Sequence, residues 1–233
     1  MTRFRYSSRA WQLFDLGFGP RRKLGVRRSL IAGLPGGSRK GAPLLIVSNH
    51  VSWWDGFILR AVHQKVRPGE ALYIVMLERE LAKRPFLKRL GALGFDPEST
   101  SSLRSLLRDL KDFRSRTPDF SVLFFPQGRI WPSFRRPLGF RGGVRLVAES
   151  LAPTAVMPLG IHLEGGNQAA PAAFVSMGAV RERPETLSVH GLEEAVEGEL
   201  DAIHHFLATH GEDAEDRWPA PGDRLPRAQE GAH

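Results

Sequence analysis

The sequence predicts an α/β fold with a mostly parallel sheet flanked by helices, preceded by an N-terminal amphipathic membrane-docking segment. Short apolar runs alternate along the chain with stretches of helical periodicity, the pattern of strand and helix units. Runs such as 43–48 are continuously apolar, as expected of strands that are covered on both faces. The residues before His50 include ten basic side chains and one acidic side chain, which sets the first forty residues apart.

Five apolar runs are predicted to be strands and four periodic stretches to be helices. The strands are expected at 43–48, 72–76, 121–125, 155–163 and within 170–180. The helices are expected at 56–62, 101–113, 143–150 and 192–209. Because strand and helix alternate, most of the strands should run parallel.

Loop signals divide the chain into three parts. The stretch 34–38 reads Leu-Pro-Gly-Gly-Ser, so residues 1–40 are predicted to be a basic, aromatic docking segment and residues 41–210 the folded domain. Residues 211–233 combine prolines, glycines and charges and are predicted to be disordered. A chain of 233 residues is long enough for one domain with a core of its own.

The first forty residues mix arginines with apolar side chains such as Trp11, Phe14 and Phe18. A cationic segment of this kind can lie in the headgroup region of a membrane. The alternative is a helix that packs Trp11 and Phe14 on its own core and leaves its arginines in solvent. The sequence leaves both open, since periodicity does not identify what an apolar face touches.

Charge and cysteine content limit the partners and the compartment. A formal charge of +8 indicates an anionic partner, which includes lipid headgroups, phosphorylated co-substrates and nucleic acid. Acidic residues concentrate after Arg181, which favours a local docking face over a uniformly basic surface. The lack of cysteine excludes disulfides and a thiol nucleophile and suits a reducing compartment. With no spanning run and no signal peptide recognised, we expect a cytoplasmic protein that is peripheral on the inner face of the membrane.

Residues 49–55 (Asn-His-Val-Ser-Trp-Trp-Asp) lie where a buried strand ends and a helix begins, a position at which open α/β sheets collect functional groups. An imidazole can accept a proton from a hydroxyl, and a carboxylate on its second nitrogen stabilises the imidazolium. His50 and Asp55 are therefore candidates for a general-base pair, and their spacing requires a bend between them. Alternatively, Asp55 is only a helix N-cap and His50 a loop histidine with satisfied hydrogen bonds.

A second strand, at 121–125, breaks into the turn Pro126-Gln127-Gly128, which Arg129 follows. Such a turn can expose backbone N–H groups to an anionic oxygen. Arg141, beside a glycine-rich helix start, could hold a phosphate. The same residues could form only a tight turn with solvated charges.

In their order along the chain, these motifs resemble the glycerolipid acyltransferase family that includes lysophosphatidate acyltransferases. The resemblance covers 43–163, about half of the chain. Its first block is NHxSxxD, and later blocks are FPxG and a strand with a central proline, Pro158. The matching residues of the first two blocks are Asn49, His50, Ser52, Asp55, Phe125, Pro126, Gln127 and Gly128.

The resemblance implies that His50 and Asp55 are the catalytic pair and that the FPxG block is an acceptor-binding turn. The family pattern usually reads FPEGTR, whereas this chain has Gln127, Arg129 and Ile130 in place of Glu, Thr and Arg. The family arginine is associated with a glycerol phosphate group. Either Arg129 takes its place, or the acceptor is a different lipid alcohol.

We therefore expect an O-acyltransferase, similar to 1-acylglycerol-3-phosphate O-acyltransferases, that acts on a lysophospholipid or other lipid alcohol. It needs no metal or other cofactor, its co-substrate is acyl-CoA or acyl carrier protein, and its partners are membrane lipids rather than nucleic acid. Arg129 and Arg141 are expected on the acceptor side, and backbone N–H groups, Asn49 or Ser52 at the oxyanion. Candidates for the wall of the acyl groove are Trp53, Trp54, Phe57 and Leu59.

Three alternatives remain. A catalytically inactive membrane-binding protein of the same fold is suggested by Gln127, which replaces a charged motif residue. A nucleic-acid-binding module is suggested by the basic N-terminal segment, although no base-reading motif supports it. A metal hydrolase built on His50, Asp55 and His63 lacks the usual ligand spacing.

Overall fold

The structure is a computed structural model that describes residues 6–33, 41–152, 154–182 and 188–226, without the side chains at 15 and 17–24. The strands are β1 Arg28–Ala32, β2 Leu44–Ser48, β3 Ala71–Leu77, β4 Ala92–Phe95, β5 Phe120–Phe124, β6 Ala155–Glu164 and β7 Ala172–Met177. The α-helices are α1 Ser8–Gly25, α2 Asp55–Val66, α3 Glu78–Lys83, α4 Thr100–Arg116, α5 Gly143–Leu151 and α6 Val189–His210. Two 3-10 helices span Pro85–Leu90 and Gly211–Ala214.

The strands form a seven-stranded sheet in the order β1-β7-β6-β2-β5-β3-β4. All neighbouring strands pair in parallel except β6 and β7, which are antiparallel. The predicted fold class, an α/β domain with a mostly parallel sheet flanked by helices, is confirmed. Because β2 lies between β5 and β6, the carboxyl ends of these three strands meet at one edge of the sheet.

The sheet separates two hydrophobic cores. Alternate residues of β2 point to opposite faces, so Leu45 and Val47 join one core and Leu44 and Ile46 the other. The first core contains buried residues of α4, α5 and α6, and the second contains those of α2. Every residue of β2 and β5 is buried, which explains why these strands read as continuous apolar runs.

The compact domain begins before the predicted boundary near Gly41. β1 pairs in parallel with β7, with Arg28 opposite Ala172 and Ala32 opposite Ser176. Its apolar part is short and follows two arginines, so the local composition concealed a strand that pairing with β7 stabilises. The loop predicted at 34–38 lies outside the described residues.

Helix α1 has apolar side chains on two sides. Trp11 is buried in a small third core with residues of the first 3-10 helix, and the Phe14 ring stacks on Phe57 at 5.1 Å. Packing of these two residues on the protein's own core, one of the two alternatives, therefore occurs. Leu13 and Leu16, however, are 71% and 80% exposed. Membrane docking of this segment stays a prediction.

The chain after α6 is packed further than predicted. The Trp218 ring contacts the rings of Phe174 and Phe206 at 4.9 and 5.2 Å, and Leu225 is buried. Disorder is predicted from 211 because prolines and charges dominate the composition, yet Trp218 packs this segment on β7 and α6, and Glu215 pairs with Arg27. Residues 227–233 lie outside the described part of the chain.

Across the described helices, the combination of length and apolar character that a bilayer span requires is not found.

Burial of His63 makes the stability of the fold depend on pH. The side chain extends from α2 to β5, where its Nε2 lies 3.0 Å from the Ser121 hydroxyl. Burial and the nearby Arg67 and Arg60 lower the pKa of His63 from 6.5 to about 4. Between these values only the unfolded chain takes up the proton. We expect the free energy of unfolding to fall by roughly 2–3 kcal/mol between pH 6.5 and 4 because of this residue.

Urea unfolding of the wild type, His63→Gln and His205→Gln at several pH values measures this effect. The glutamine at 63 should remove part of the pH dependence, whereas the glutamine at the exposed His205 should leave it unchanged. Equal pH dependence in the two variants would contradict the prediction.

Candidate active site

Asn49 fixes the loop that follows the end of β2. Its buried side-chain Nδ2 donates to the carbonyl of Ile161 in β6, and its Oδ1 accepts from the N–H of Ile161, both at 2.9 Å. The amide thus extends the pairing of β2 and β6 beyond the end of the strand. Asn49 does not line the cavity described below, and its predicted contact with substrate or oxyanion stays a prediction.

The loop brings His50 and Asp55 together in the bent arrangement that their spacing requires. Asp55 is fully buried in the first turn of α2, and its Oδ2 lies 2.7 Å from His50 Nδ1. The same oxygen accepts from the N–H groups of Val51 and Ser52, at 2.7 and 3.0 Å. A carboxylate at Nδ1 places the ring proton there and leaves the Nε2 lone pair free to accept a proton.

Ser52 stabilises the bend between His50 and Asp55. Its hydroxyl accepts from the N–H of Trp54 at 3.2 Å, and its own N–H donates to Asp55. It does not line the cavity described below. Its small hydroxyl closes the bend that joins His50 to Asp55, and the predicted contact of Ser52 with substrate or oxyanion stays a prediction.

The turn after β5 holds the backbone of His50. The buried Gln127 accepts from the His50 N–H through Oε1 at 2.8 Å, and its Nε2 donates to the carbonyl of Leu138 at 3.1 Å. The N–H of Trp131 donates to the His50 carbonyl at 2.8 Å, and the imidazole stacks on Phe125 at 4.4 Å. Gln127 was predicted to line the acceptor side, but its amide is engaged by two loops below the surface.

Gly128 and Arg141 form the exposed part of this turn. Gly128 has a φ of +67°, and its N–H donates to the Phe125 carbonyl at 3.1 Å. The left-handed conformation favours glycine, which explains why the motif has a glycine at this position. The N–H of Arg141 donates to the Pro126 carbonyl at 3.2 Å. A Cβ placed on Gly128 would lie 3.9 Å from the Arg141 guanidinium carbon, so this cation lies beside the turn.

A cavity of about 490 Å³ opens at His50. Its far part lies between β3, the first 3-10 helix and α1, where apolar side chains dominate the walls. The walls also include three cationic side chains and one carboxylate, Glu80. Residues of the apolar part are Trp11, Phe57, Ile74, Met76, Leu87 and Leu90, and the cations are Arg79, Arg129 and Arg141. The volume lies in the usual range of small-molecule sites.

Six of the predicted site residues meet at this cavity. They are His50, Phe125, Pro126, Gly128, Arg129 and Arg141. Of the residues proposed for an acyl groove, Trp53 and Phe57 line it, whereas Leu59 is buried in the core and Trp54 packs against that core.

Sequence reasoning missed the far walls of the cavity. Ile74 and Met76 lie near the carboxyl end of β3 and are only partly buried. Their position near the carboxyl end of a predicted strand, where open α/β sheets collect functional groups, is a signal that could have identified them. Leu87 and Leu90 gave no signal, since the 3-10 helix that carries them has six residues and is too short for a periodic pattern to be recognised.

His63, the third residue of the metal-hydrolase alternative, is hydrogen-bonded to Ser121 rather than directed at Asp55. Within 6–33, 41–152, 154–182 and 188–226, no group of three or more acidic or histidine side chains is placed to hold a metal ion.

Replacing Gln127 tests its supporting role. We expect Gln127→Ala to lower the free energy of unfolding by about 1–3 kcal/mol, because the His50 N–H and the Leu138 carbonyl lose their partner inside the protein. Gln127→Glu should also lower stability, because its buried carboxylate can accept from the His50 N–H but cannot donate to the Leu138 carbonyl. Urea unfolding measures both, with the exposed Arg129→Ala as control; a Gln127→Ala stability equal to that control would contradict the role.

Comparison with known proteins finds a matching family and a similar fold. The family model described as Acyltransferase matches residues 35–162, more than half of the chain. The structure aligns with that of the 1-acyl-sn-glycerophosphate (LPA) acyltransferase PlsC from Thermotoga maritima with a TM-score of 0.57, over 84% of this chain and 79% of that chain. Their identity is 14%, so this likeness shows the fold. No curated protein matches the sequence.

Proposed function

Because this chain belongs to the acyltransferase family, we propose that it moves a fatty acyl group from an acyl thioester to a hydroxyl of a lysophospholipid or other lipid alcohol, with His50 as the general base. One observation carries the proposal: His50, whose Nδ1 lies 2.7 Å from the buried Asp55, lines a mainly apolar cavity. The pair supplies a base, and the cavity has the chemical character of an acyl chain.

In the proposed reaction, Nε2 of His50 takes the proton of the acceptor hydroxyl while the hydroxyl oxygen attacks the thioester carbonyl. The tetrahedral intermediate collapses by breaking the carbon–sulfur bond, and the imidazolium returns its proton to the leaving thiolate. Asp55 stabilises the imidazolium and holds the ring. Transfer is direct, so no acyl group is bound to the protein at any step.

The cations near His50 suit a phosphorylated substrate. Arg129 and Arg141 line the cavity beside the Gly128 turn, and both are exposed. Acyl-CoA and acyl carrier protein both carry phosphate groups, as do lysophospholipids. Ile130 also lines the cavity, at the position where the family pattern usually has an arginine, so an acceptor phosphate would be held by other cations of the lining, such as Arg129 or Arg141.

The alternative of an inactive membrane-binding protein rested on Gln127. Its amide hydrogen-bonds to the backbone of His50 and to the backbone of Leu138, so the glutamine replaces a charged motif residue without removing a group that the proposed chemistry uses. The hydrogen bond between His50 and Asp55, which supports the proposed base, is present. The proposed site of action is the cytoplasmic face of the membrane, and the reaction needs no cofactor besides the thioester.

The proposal is tested by consumption of acyl-CoA and of acyl carrier protein thioesters in the presence of single acceptors. The panel contains lysophosphatidate, uncharged lysoglycolipids and free lipid alcohols, with a donor-only reaction as control. We expect thiol release that depends on one acceptor class and equals the ester formed. Release that is the same without acceptor would contradict acyl transfer.

The apolar part of the cavity should set the preferred chain length. Ile74→Phe adds volume to the wall, and we expect it to lower kcat/KM for long-chain donors at least about tenfold relative to medium-chain donors. Ile31→Val is a suitable control because Ile31 is buried in the core away from the cavity. An unchanged ratio of the two donors in Ile74→Phe would mean that the acyl chain lies elsewhere.

A further inference from the structure

Residues 129–136, called the rim loop below, expose large apolar side chains beside the cavity. Phe134 is 75% exposed and Ile130 52% exposed. Ile130 and Arg129 also line the cavity, as does the partly exposed Trp53. The rim loop is therefore continuous with the mouth of the proposed active site.

The exposure is a fixed feature of the loop. The buried Ser133 hydroxyl lies 2.6 Å from His162 Nδ1 and 3.2 Å from His204 Nε2. Arg136 donates to the Ser133 carbonyl and forms an ion pair with Asp201. Bonds to β6 and α6 thus hold the loop at its middle and its end. Phe134, next to the anchored Ser133, is held outward at the surface.

The stretch of chain that carries these side chains is strongly basic, although Asp201 of α6 pairs with Arg136. From Pro126 to Arg145 the chain has five arginines and no acidic residue. The guanidinium carbons of Arg129 and Arg135 lie 5.2 and 3.6 Å from the ring centre of Trp131. An aromatic ring with two cations on it, next to exposed apolar side chains, combines the features that proteins place at the headgroup level of membranes.

We propose that the rim loop is a lipid-contact element that docks on an anionic lipid surface. Phe134 and Ile130 enter the acyl-chain region, while Arg129 and Arg135 contact lipid phosphates. Docking places the cavity mouth against the membrane, so the lipid acceptor reaches His50 without crossing water. The inference rests on the proposed function, because it names the surface from which that same site draws its acceptor. It is independent of docking by residues 1–40.

Binding to vesicles tests the proposal separately from catalysis. The probes are vesicles of phosphatidylcholine with about one third phosphatidylglycerol and vesicles of phosphatidylcholine alone, with partition measured by co-sedimentation. We expect Phe134→Ser to weaken binding to the anionic vesicles about tenfold or more, since an exposed phenyl ring loses its apolar environment. Arg135→Gln should weaken binding to anionic vesicles about fivefold and leave binding to phosphatidylcholine unchanged.

Leu146→Ser is the matched control, because Leu146 is an exposed leucine on α5 that does not line the cavity. Thermal unfolding checks that Phe134→Ser remains folded. Vesicle binding of Phe134→Ser and Arg135→Gln equal to that of Leu146→Ser overturns the proposal. So does a Phe134→Ser variant that loses self-association but keeps vesicle binding, since the surface would then be a contact between copies.

Measuring acyl transfer together with vesicle binding distinguishes a failure of this proposal from a failure of the proposed function. His50→Ala should bind vesicles like the wild type, because the imidazole is not part of the rim loop. Vesicle binding that depends on Phe134, in a protein without acyl transfer, would count against the proposed function alone. Transfer without such dependence would count against the rim loop alone.

Discussion

His50→Ala is expected to lower acyl transfer about a thousandfold or more. The variant loses the nitrogen that accepts the hydroxyl proton, and the described residues around the cavity include no second histidine. Initial rates of thiol release in the presence of acceptor measure the effect. The fold should survive, because Gln127 and Trp131 bind only the backbone of residue 50, and Asp55 Oδ2 keeps its bonds to two N–H groups.

His205→Ala, on the exposed side of α6, is the control for loss of a histidine and should retain wild-type rates. Added imidazole gives a second readout, since a free base that enters the vacated space should partly restore the rate of His50→Ala and leave the control unchanged. Retention of about a tenth or more of the wild-type rate in His50→Ala would exclude His50 as the base.

Asp55→Asn is expected to lower kcat about a hundredfold to ten-thousandfold. An asparagine oxygen at the position of Oδ2 can still accept from Val51, Ser52 and the imidazole, so the loop keeps its hydrogen bonds. What the variant loses is the negative charge that stabilises the imidazolium. Because Asp55 is fully buried and does not line the cavity, KM for the thioester should change little.

Whether the substitution changes kcat or KM distinguishes stabilisation of the imidazolium by Asp55 from a purely structural role. A variant that had lost only the shape of the loop would bind substrate poorly and unfold more easily. Asp112→Asn, an exposed change on α4, provides the control rate and the control stability. A wild-type kcat in Asp55→Asn, or a loss confined to KM, would show that the carboxylate does not assist the base.

The sequence predicted the interior of the fold better than its edges. Strands β2 and β5 are buried on both faces, so their sequences are continuously apolar and can be recognised without knowing their partners. β1 and β4 lie at the two edges of the sheet, where pairing with β7 and β3 stabilises short segments of mixed composition. No local sequence pattern indicates which strand such an edge segment pairs with.

The reacting groups could be predicted because they are close in sequence. The residues that form the walls of the cavity are far apart in sequence and could not be predicted. His50 and Asp55 are joined by one bend after β2, and the neighbouring Pro-Gly turn follows β5 directly. Gln127 was predicted to bind substrate, because a motif position does not show whether its side chain faces the cavity or hydrogen-bonds to the backbone. The apolar walls come from β3, a 3-10 helix and α1, which only the tertiary structure brings together.

A single-turnover reaction tests direct transfer by His50. Excess protein is mixed with a radiolabelled acyl thioester and a saturating concentration of the acceptor that supports turnover, quenched at intervals, and separated into donor, lipid and protein. We expect the label to pass from donor to lipid ester in the wild type without appearing on the protein, and to remain on the donor in His50→Ala. Label that accumulates on the protein before the lipid, or reaches the lipid at the wild-type rate in His50→Ala, would contradict a direct, His50-dependent transfer.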